Sequence, residues 1–253
     1  MNVVVITQND PFYLRGNLDY LIRNFPKNCN FSAVVLLNPS PFGKKLNFFQ
    51  KALETFNIFG LKFLIFYSIQ LIKSKIQNSD VKRVLKNHKI PIIHLESNIN
   101  SSDSLDKISK FNPDLLVSIA ANEIFKSSLI NLAPKGCINL HTSLLPKYRG
   151  LMPSFWVLKN QEKKTGVSVF FVNEGIDTGP IIVQSEISIN NRTHRELISE
   201  SKKLGIKAII KAIKIIKDGK VKTLPNDDTK MTYFSFPSKE DVKEFRNTGA
   251  KFF

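Results

Sequence analysis

Cysteine is almost absent, with Cys29 and Cys137 the only two among 253 residues. That excludes a disulfide-stapled scaffold, and reduced thiols are expected of a cytoplasmic protein. Glycine is missing where a nucleotide fingerprint would need it. The turn after the first apolar run reads Thr7-Gln8-Asn9-Asp10-Pro11, and without glycines the backbone cannot approach a pyrophosphate as in dinucleotide binding. No Walker loop, H-E-x-x-H pair or cysteine cluster occurs, so no metal and no nucleotide hydrolysis are expected. The opening run Val3–Ile6 is too short for a secretory signal. Uninterrupted long apolar runs are lacking too. The most apolar stretch, Phe56 to Ile72, is broken by Asn57, Gly60, Lys62 and Gln70, whereas a membrane span needs about 20 mostly apolar residues. A buried or interfacial helix is expected there and no integral membrane segment. The basic flanks Lys51, Lys73 and Lys75 leave peripheral attachment as the lesser alternative.

Acidic residues are few: 21 against 37 basic ones, a net charge of +16. Such a field attracts anions, yet 30 of the 37 are lysines, and readers of phosphate draw more on arginine. Lys203, Lys207, Lys211 and Lys214 recur on one helical face, with Leu204, Ala208, Ile209 and Ile213 on another, the pattern of a solvated amphipathic helix. Charge is therefore read as surface, and no nucleic-acid partner is expected.

Short apolar runs alternate with helical patterns. Strands are predicted at Val3–Ile6, Phe31–Leu37, Ile90–Leu95, Leu115–Ala120 and Gly136–Leu140. Helices are predicted at Tyr13–Asn24, Lys45–Ser74, Val81–Asn87 and Glu123–Leu132, with a short one capped by Asp103 or Ser104. A loop is placed at Asn38-Pro39-Ser40-Pro41. This rhythm predicts an α/β fold: a Rossmann-like, mostly parallel twisted sheet with helices on both faces. After Gly150 come a short helix at Met152–Leu158, strands at Thr165–Val172 and Pro180–Ile187, a long helix at Thr193–Lys217 and an aromatic-rich tail expected to pack back on the body.

Chemistry concentrates between Gly136 and Ile182. Asn139 and His141 stand at i and i+2 near a strand end, so their side chains share a face. That is the edge where open α/β sheets bind ligands. Asp177 follows in a glycine-flanked turn. An amide, an imidazole and a carboxylate delivered to one cleft would suit acyl transfer. A single histidine on a strand is otherwise a satisfied core or surface residue, as expected for His88, His94 and His194.

The run Asn139-Leu140-His141-Thr142-Ser143-Leu144-Leu145-Pro146-Lys147-Tyr148-Arg149-Gly150, with Thr165–Val169 and Asp177-Thr178-Gly179, resembles the formyltransferases that use 10-formyltetrahydrofolate. The similarity spans about Pro113 to Ile189. It implies a catalytic domain at 1–189, with a C-terminal helix and tail at 190–253 packed on the same domain. It also implies Asn139, His141 and Asp177 as catalytic residues: Asn139 holding the formyl oxygen, His141 assisting proton transfer, and Asp177 supporting positive charge on the ring. The folate, as co-substrate, would be lined by Asn122, Glu123, Ile124 and Phe125, by Ser143, Leu144, Leu145 and Pro146, and by Asn173, Gly175 and Ile176. Ala121 stands where relatives often carry a bulkier residue, and Glu123 where a basic one occurs. The acceptor amine is expected beside Asn9, Asp10, Phe12, Tyr13 and Arg149.

Among family members, methionyl-tRNA formyltransferases carry a further C-terminal domain for which the residues after Lys217 are too few. The glycinamide ribonucleotide enzymes carry a glycine-rich loop that Asn9–Tyr13 replaces, and the folate deformylases usually begin with a small regulatory domain. A nucleotide-linked amino sugar of surface-polysaccharide synthesis is the acceptor expected, as the tail Met231–Pro237 also implies. Glycinamide ribonucleotide, methionyl-tRNA or water are the alternatives. A homodimer is allowed for.

Overall fold

Val3, Val4, Val5 and Ile6 are all fully buried, which requires a strand covered on both sides. Val3 and Val5 join one core, with Leu14, Leu18, Val117, Val167 and Ile209. Val4 and Ile6 join another, with Val35, Ile99, Ile108 and Leu129. The period of two in the strand makes that division. The computed structural model describes residues 1–39, 47–77 and 80–253; the predicted loop positions Ser40-Pro41 and the helix start at Lys45 lie outside them.

Five parallel strands make up most of the sheet: β1 (Asn2–Gln8), β2 (Asn30–Leu37), β3 (Ile92–Ile93), β4 (Leu115–Ile119) and β5 (Cys137–His141). A two-residue strand, β6 (Arg149–Gly150), precedes β7 (Lys164–Phe171) and β8 (Ile181–Ser188). The last two add to the sheet antiparallel, giving the order β3-β2-β1-β4-β5-β7-β8. The order reverses between β1 and β4, and this is the kind of place where a crevice opens at the carboxyl ends of the strands. A ninth short strand, β9 (Tyr233–Phe234), pairs with β6 in parallel.

The helices are α1 (Leu14–Arg23), α2 (Phe48–Phe59), α3 (Leu61–Ile76), α4 (Val81–Asn87), α5 (Ser102–Ser109), α6 (Ser127–Ile130), α7 (Pro153–Lys159), α8 (His194–Lys217) and α9 (Lys239–Asn247). In α8, Thr193 and Glu196 form a reciprocal capping box, a device worth about 1 kcal/mol. Its lysines 203, 207, 211 and 214 are exposed while Ala208, Ile209 and Ile213 are buried against the sheet. The tail returns to the body: Phe245 and Phe252 stack on Phe155 at centroid distances of 4.9 and 6.2 Å.

Four predicted boundaries are corrected. The apolar stretch 48–76 is two helices, because Gly60 at φ +81° turns the chain between α2 and α3, a conformation glycine adopts without steric cost. The cap of α5 is Ser101, whose side chain accepts from the Ser104 N–H. The strand at Ile90–Leu95 shrinks to Ile92–Ile93 at the sheet edge. Of the helix predicted at Glu123–Leu132 only Ser127–Ile130 forms. There the Glu123 carboxylate accepts from Asn98 and the Ile99 N–H, and Asn100 bonds both the Ile124 carbonyl and the Lys126 N–H. Local side-chain bonds of this sort displace helical ones.

Candidate active site

Asn139 and His141 occupy alternate positions on β5 and line one cavity of about 520 Å³. His141 is buried, and its Nε2 lies 2.7 Å from the Tyr148 carbonyl. A carbonyl can only accept, so Nε2 carries the hydrogen and Nδ1 is the nitrogen free to take up or release a proton. Nδ1 faces Asp177 Oδ2 at 3.5 Å. The Asn139 side chain lines the cavity with no hydrogen-bond partner among the described residues, which leaves its NH2 available to an oxygen in the cavity.

The Asp177 turn is held from several directions. Asn173 Oδ1 accepts from the Gly175 N–H and the Thr178 hydroxyl, an Asx-type turn. Asp177 itself sits at φ +53°, and its Oδ2 accepts from the Gly150 N–H at 2.9 Å. Gly150 is required at its place: φ is +92° and a Cβ there would meet the Phe234 carbonyl oxygen at 2.2 Å. Asn226 Nδ2 donates to the carbonyls of Asp177 and Gly179 at 2.8 and 2.9 Å. Arg149 in turn donates to Asn226 Oδ1 and carbonyl, and to Asp228.

The structure brings most of the predicted site residues to this cavity and leaves others away from it. Asn122, Glu123, Ile124, Phe125, Asn173, Gly175, Ile176 and Tyr13 line it together with the three polar residues. The segment Ser143–Pro146 does not. It is turned toward β7 and β8: the Ser143 carbonyl and Leu145 N–H bond to Ser168 Oγ, the Leu145 carbonyl accepts from Gln184, and Leu145 packs on Phe170 and Ile181. Asn9 and Asp10 are spent within the chain. Asn9 Oδ1 accepts from the Val81 N–H, and Asp10 Oδ1 from the N–H groups of Phe12 and Tyr13. Arg149 is 3% exposed, so the guanidinium expected to meet an acceptor is instead committed to the protein interior.

Sequence reasoning missed Lys202, Tyr233, Phe236 and His194 on the cavity wall. Lys202 carried a signal, since it stands off the solvated lysine stripe of α8; its Nζ lies 3.5 Å from Asp10 Oδ2 and over the Tyr13 ring. For Tyr233 and Phe236 the aromatic tail signalled packing on the body but not where, and the pairing of β9 with β6 sets their place. Burial next to Tyr67 pushes the Tyr13 phenol far above its usual range, so it is a neutral hydroxyl. A second cavity of about 340 Å³ shares Tyr13 and includes Phe12. Its charged lining residues are Arg15, Lys73 and Arg195, with no carboxylate among the described ones.

His194 has no hydrogen-bond partner at Nδ1 and is ringed by Phe155, Phe245 and Phe252. Burial lowers its pKa from 6.5 to about 4. Between those values the unfolded chain binds the proton and the folded one does not. Stability is therefore complete above the window and declines as pH falls through it, by up to roughly tenfold in the folding equilibrium per pH unit. Urea midpoints at about pH 7 and about pH 5 are expected to show this decline, and His194→Phe to flatten it.

A mostly parallel α/β sheet with an amide, an imidazole and a carboxylate at its crevice is an arrangement suited to group transfer. A family model described as formyl transferase matches residues 68–213, more than half of the chain. The chain belongs to the formyl transferase family. Methionyl-tRNA formyltransferase of Kosmotoga olearia is 34% identical over 169 residues, 66% of this chain and 54% of that protein. The chain thus spans about half the length of the curated relatives it matches. Among solved structures, the N-formyltransferase from Helicobacter canadensis, in complex with folinic acid and dTDP-3-aminofucose, has a TM-score of 0.59 at 20% identity. The match covers 96% of this chain and 78% of that one. Phosphoribosylglycinamide formyltransferase from Anaplasma phagocytophilum has a TM-score of 0.64 at 17% identity, covering 94% and 99%. These two likenesses are ones of fold.

Proposed function

We propose that this protein transfers a formyl group from 10-formyltetrahydrofolate to the primary amine of a phosphate-bearing small acceptor, a nucleotide-linked amino sugar. The observation that carries the reading is the meeting of Asn139, His141 and Asp177 on one cavity wall, in a chain of the formyl transferase family. The folate fits the residues present: Ile124, Phe125 and Ile176 offer apolar wall, and the unpartnered Asn139 amide offers a donor. When bound, it supplies an activated one-carbon unit.

The chain's own residues then do three things. Asn139 donates to the formyl oxygen as negative charge builds on it, an interaction worth about 2.7–4 kcal/mol in the transition state. As the acceptor nitrogen bonds to the formyl carbon and the bond from that carbon to the folate nitrogen breaks, His141, its Nε2–H fixed by Tyr148, would take at Nδ1 the proton the amine loses and return one to the departing nitrogen. Asp177 Oδ2 lies across from Nδ1 and stabilises the positive charge the ring gains in doing so. The second cavity, which shares Tyr13 with the first and is lined by Lys73 and Arg195, supports an acceptor that carries phosphates.

The sequence likeness to methionyl-tRNA formyltransferases favours a second reading, charged initiator tRNA as acceptor. A turnover panel separates the two: nucleotide-linked amino sugars, glycinamide ribonucleotide, methionyl-tRNA, a free amino sugar, and folate alone. Turnover of a nucleotide sugar is expected, with kcat/KM at least about tenfold above the free amino sugar. A tRNA acceptor would instead give turnover falling steeply with salt. Formate release with no amine present would identify a hydrolase and refute the transferase reading.

A further inference from the structure

The helix pair α2–α3 is apolar on two sides, and among the described residues the protein body packs on one. Inward, Phe59 stacks on Phe63 at 4.4 Å, Phe63 meets Phe252 at 5.1 Å and Phe66 stacks on Phe253 at 4.0 Å. Outward, Leu61, Ile65, Ile69, Ile72 and Ile76 are between 46% and 76% exposed. At roughly 100° per residue they fall within about 80° of the circumference of α3. Leu53 and Phe56 of α2 are exposed as well. Isolated exposed apolar residues need no explanation, but five of them along one side of a single helix do.

Lysines border this row. On the same helical projection Lys62 falls along one margin of the α3 stripe and Lys75 along the other, and both are exposed. Glu54 is the only acidic residue between positions 47 and 77, and the whole chain carries +16. An apolar stripe with cationic margins matches a surface whose interior is hydrocarbon and whose outer layer is anionic, the lysine stems lying along the stripe and their ammonium groups reaching the headgroups. Two copies of the chain meeting through this face would instead bring like charges together on both margins. No helix among the described residues is long and apolar enough to cross a membrane, so the contact would be peripheral.

We infer that the outer face of α2–α3 docks the protein on an anionic lipid bilayer, with Leu61, Ile65, Ile69, Ile72 and Ile76 entering the interface. The inference does not depend on the reaction proposed above. The test is co-sedimentation of the full chain with vesicles of phosphatidylcholine alone or with roughly one third phosphatidylglycerol. The chain is expected to partition at least about tenfold more strongly onto the anionic vesicles, and less as salt rises. The triple variant Ile65→Asn, Ile69→Asn, Ile72→Asn should lose that binding with circular dichroism unchanged. A double variant, Lys62→Glu with Lys75→Glu, should lose mainly the preference for anionic lipid. Absence of binding by the unaltered chain overturns the inference, as does undiminished binding by the triple variant. Self-association removed by the triple variant, without vesicle binding, would assign the face to a second copy and overturn it equally.

Discussion

His141→Ala is expected to lower kcat by about 100- to 10,000-fold, the range for loss of a positioned proton-transfer group, while the KM for folate changes little. The imidazole is one of many groups on a cavity of about 520 Å³, so its removal takes away little binding surface. Asn139→Ala should cost about 100- to 1,000-fold in kcat, as for removal of a donor to a developing oxyanion. The combined variant should fall short of the product of the two, because groups that act as a unit are not additive. Single-turnover rates with saturating folate provide the check. Equal losses in kcat and in folate affinity would make these residues binding or structural groups and end the mechanism.

Asn226→Ala is expected to lower kcat by up to about 100-fold, with the KM for both substrates close to its original value. Asn226 holds Asp177 through the backbone, by way of the carbonyls of residues 177 and 179, and does not line the cavity. Displacing a reacting group by an ångström can cost that much. Arg149→Met tests the next link. The substitution keeps much of the volume but removes the donors to Asn226 and Asp228, and should lower stability by about 1.5–3 kcal/mol, as for hydrogen bonds to charged groups. Urea titration measures the stability loss. Asn226→Ala with kcat intact would show that the backbone of the turn holds Asp177 without help from the C-terminal segment.

Two of the misplaced site residues share a cause with this brace. Arg149 and Asp10 are charged residues beside a cleft, and from sequence each is a fair candidate for a ligand contact. Whether such a group faces a ligand or the protein depends on partners far away in the chain. Asn226 lies 77 residues from Arg149, and no periodicity or spacing links the two. The Ser143–Pro146 segment was misplaced for the same reason, since Ser168 and Gln184 on neighbouring strands claim its backbone.

Sequence alone determined the alternation of strands and helices and the alternate-face placement of Val3, Val5 against Val4, Ile6. It also determined that Asn139 and His141 would point together from one strand end, because these follow from the fixed two-residue repeat of a strand. The structure decided what local repeats cannot encode. It set the break at Gly60 and the abbreviated helix after Glu123. It turned Arg149 inward as a brace for the Asp177 turn. It brought Tyr233, Phe236 and Lys202 to the cavity, where side-chain bonds and strand pairing between distant segments prevail over the preferences of the nearby chain.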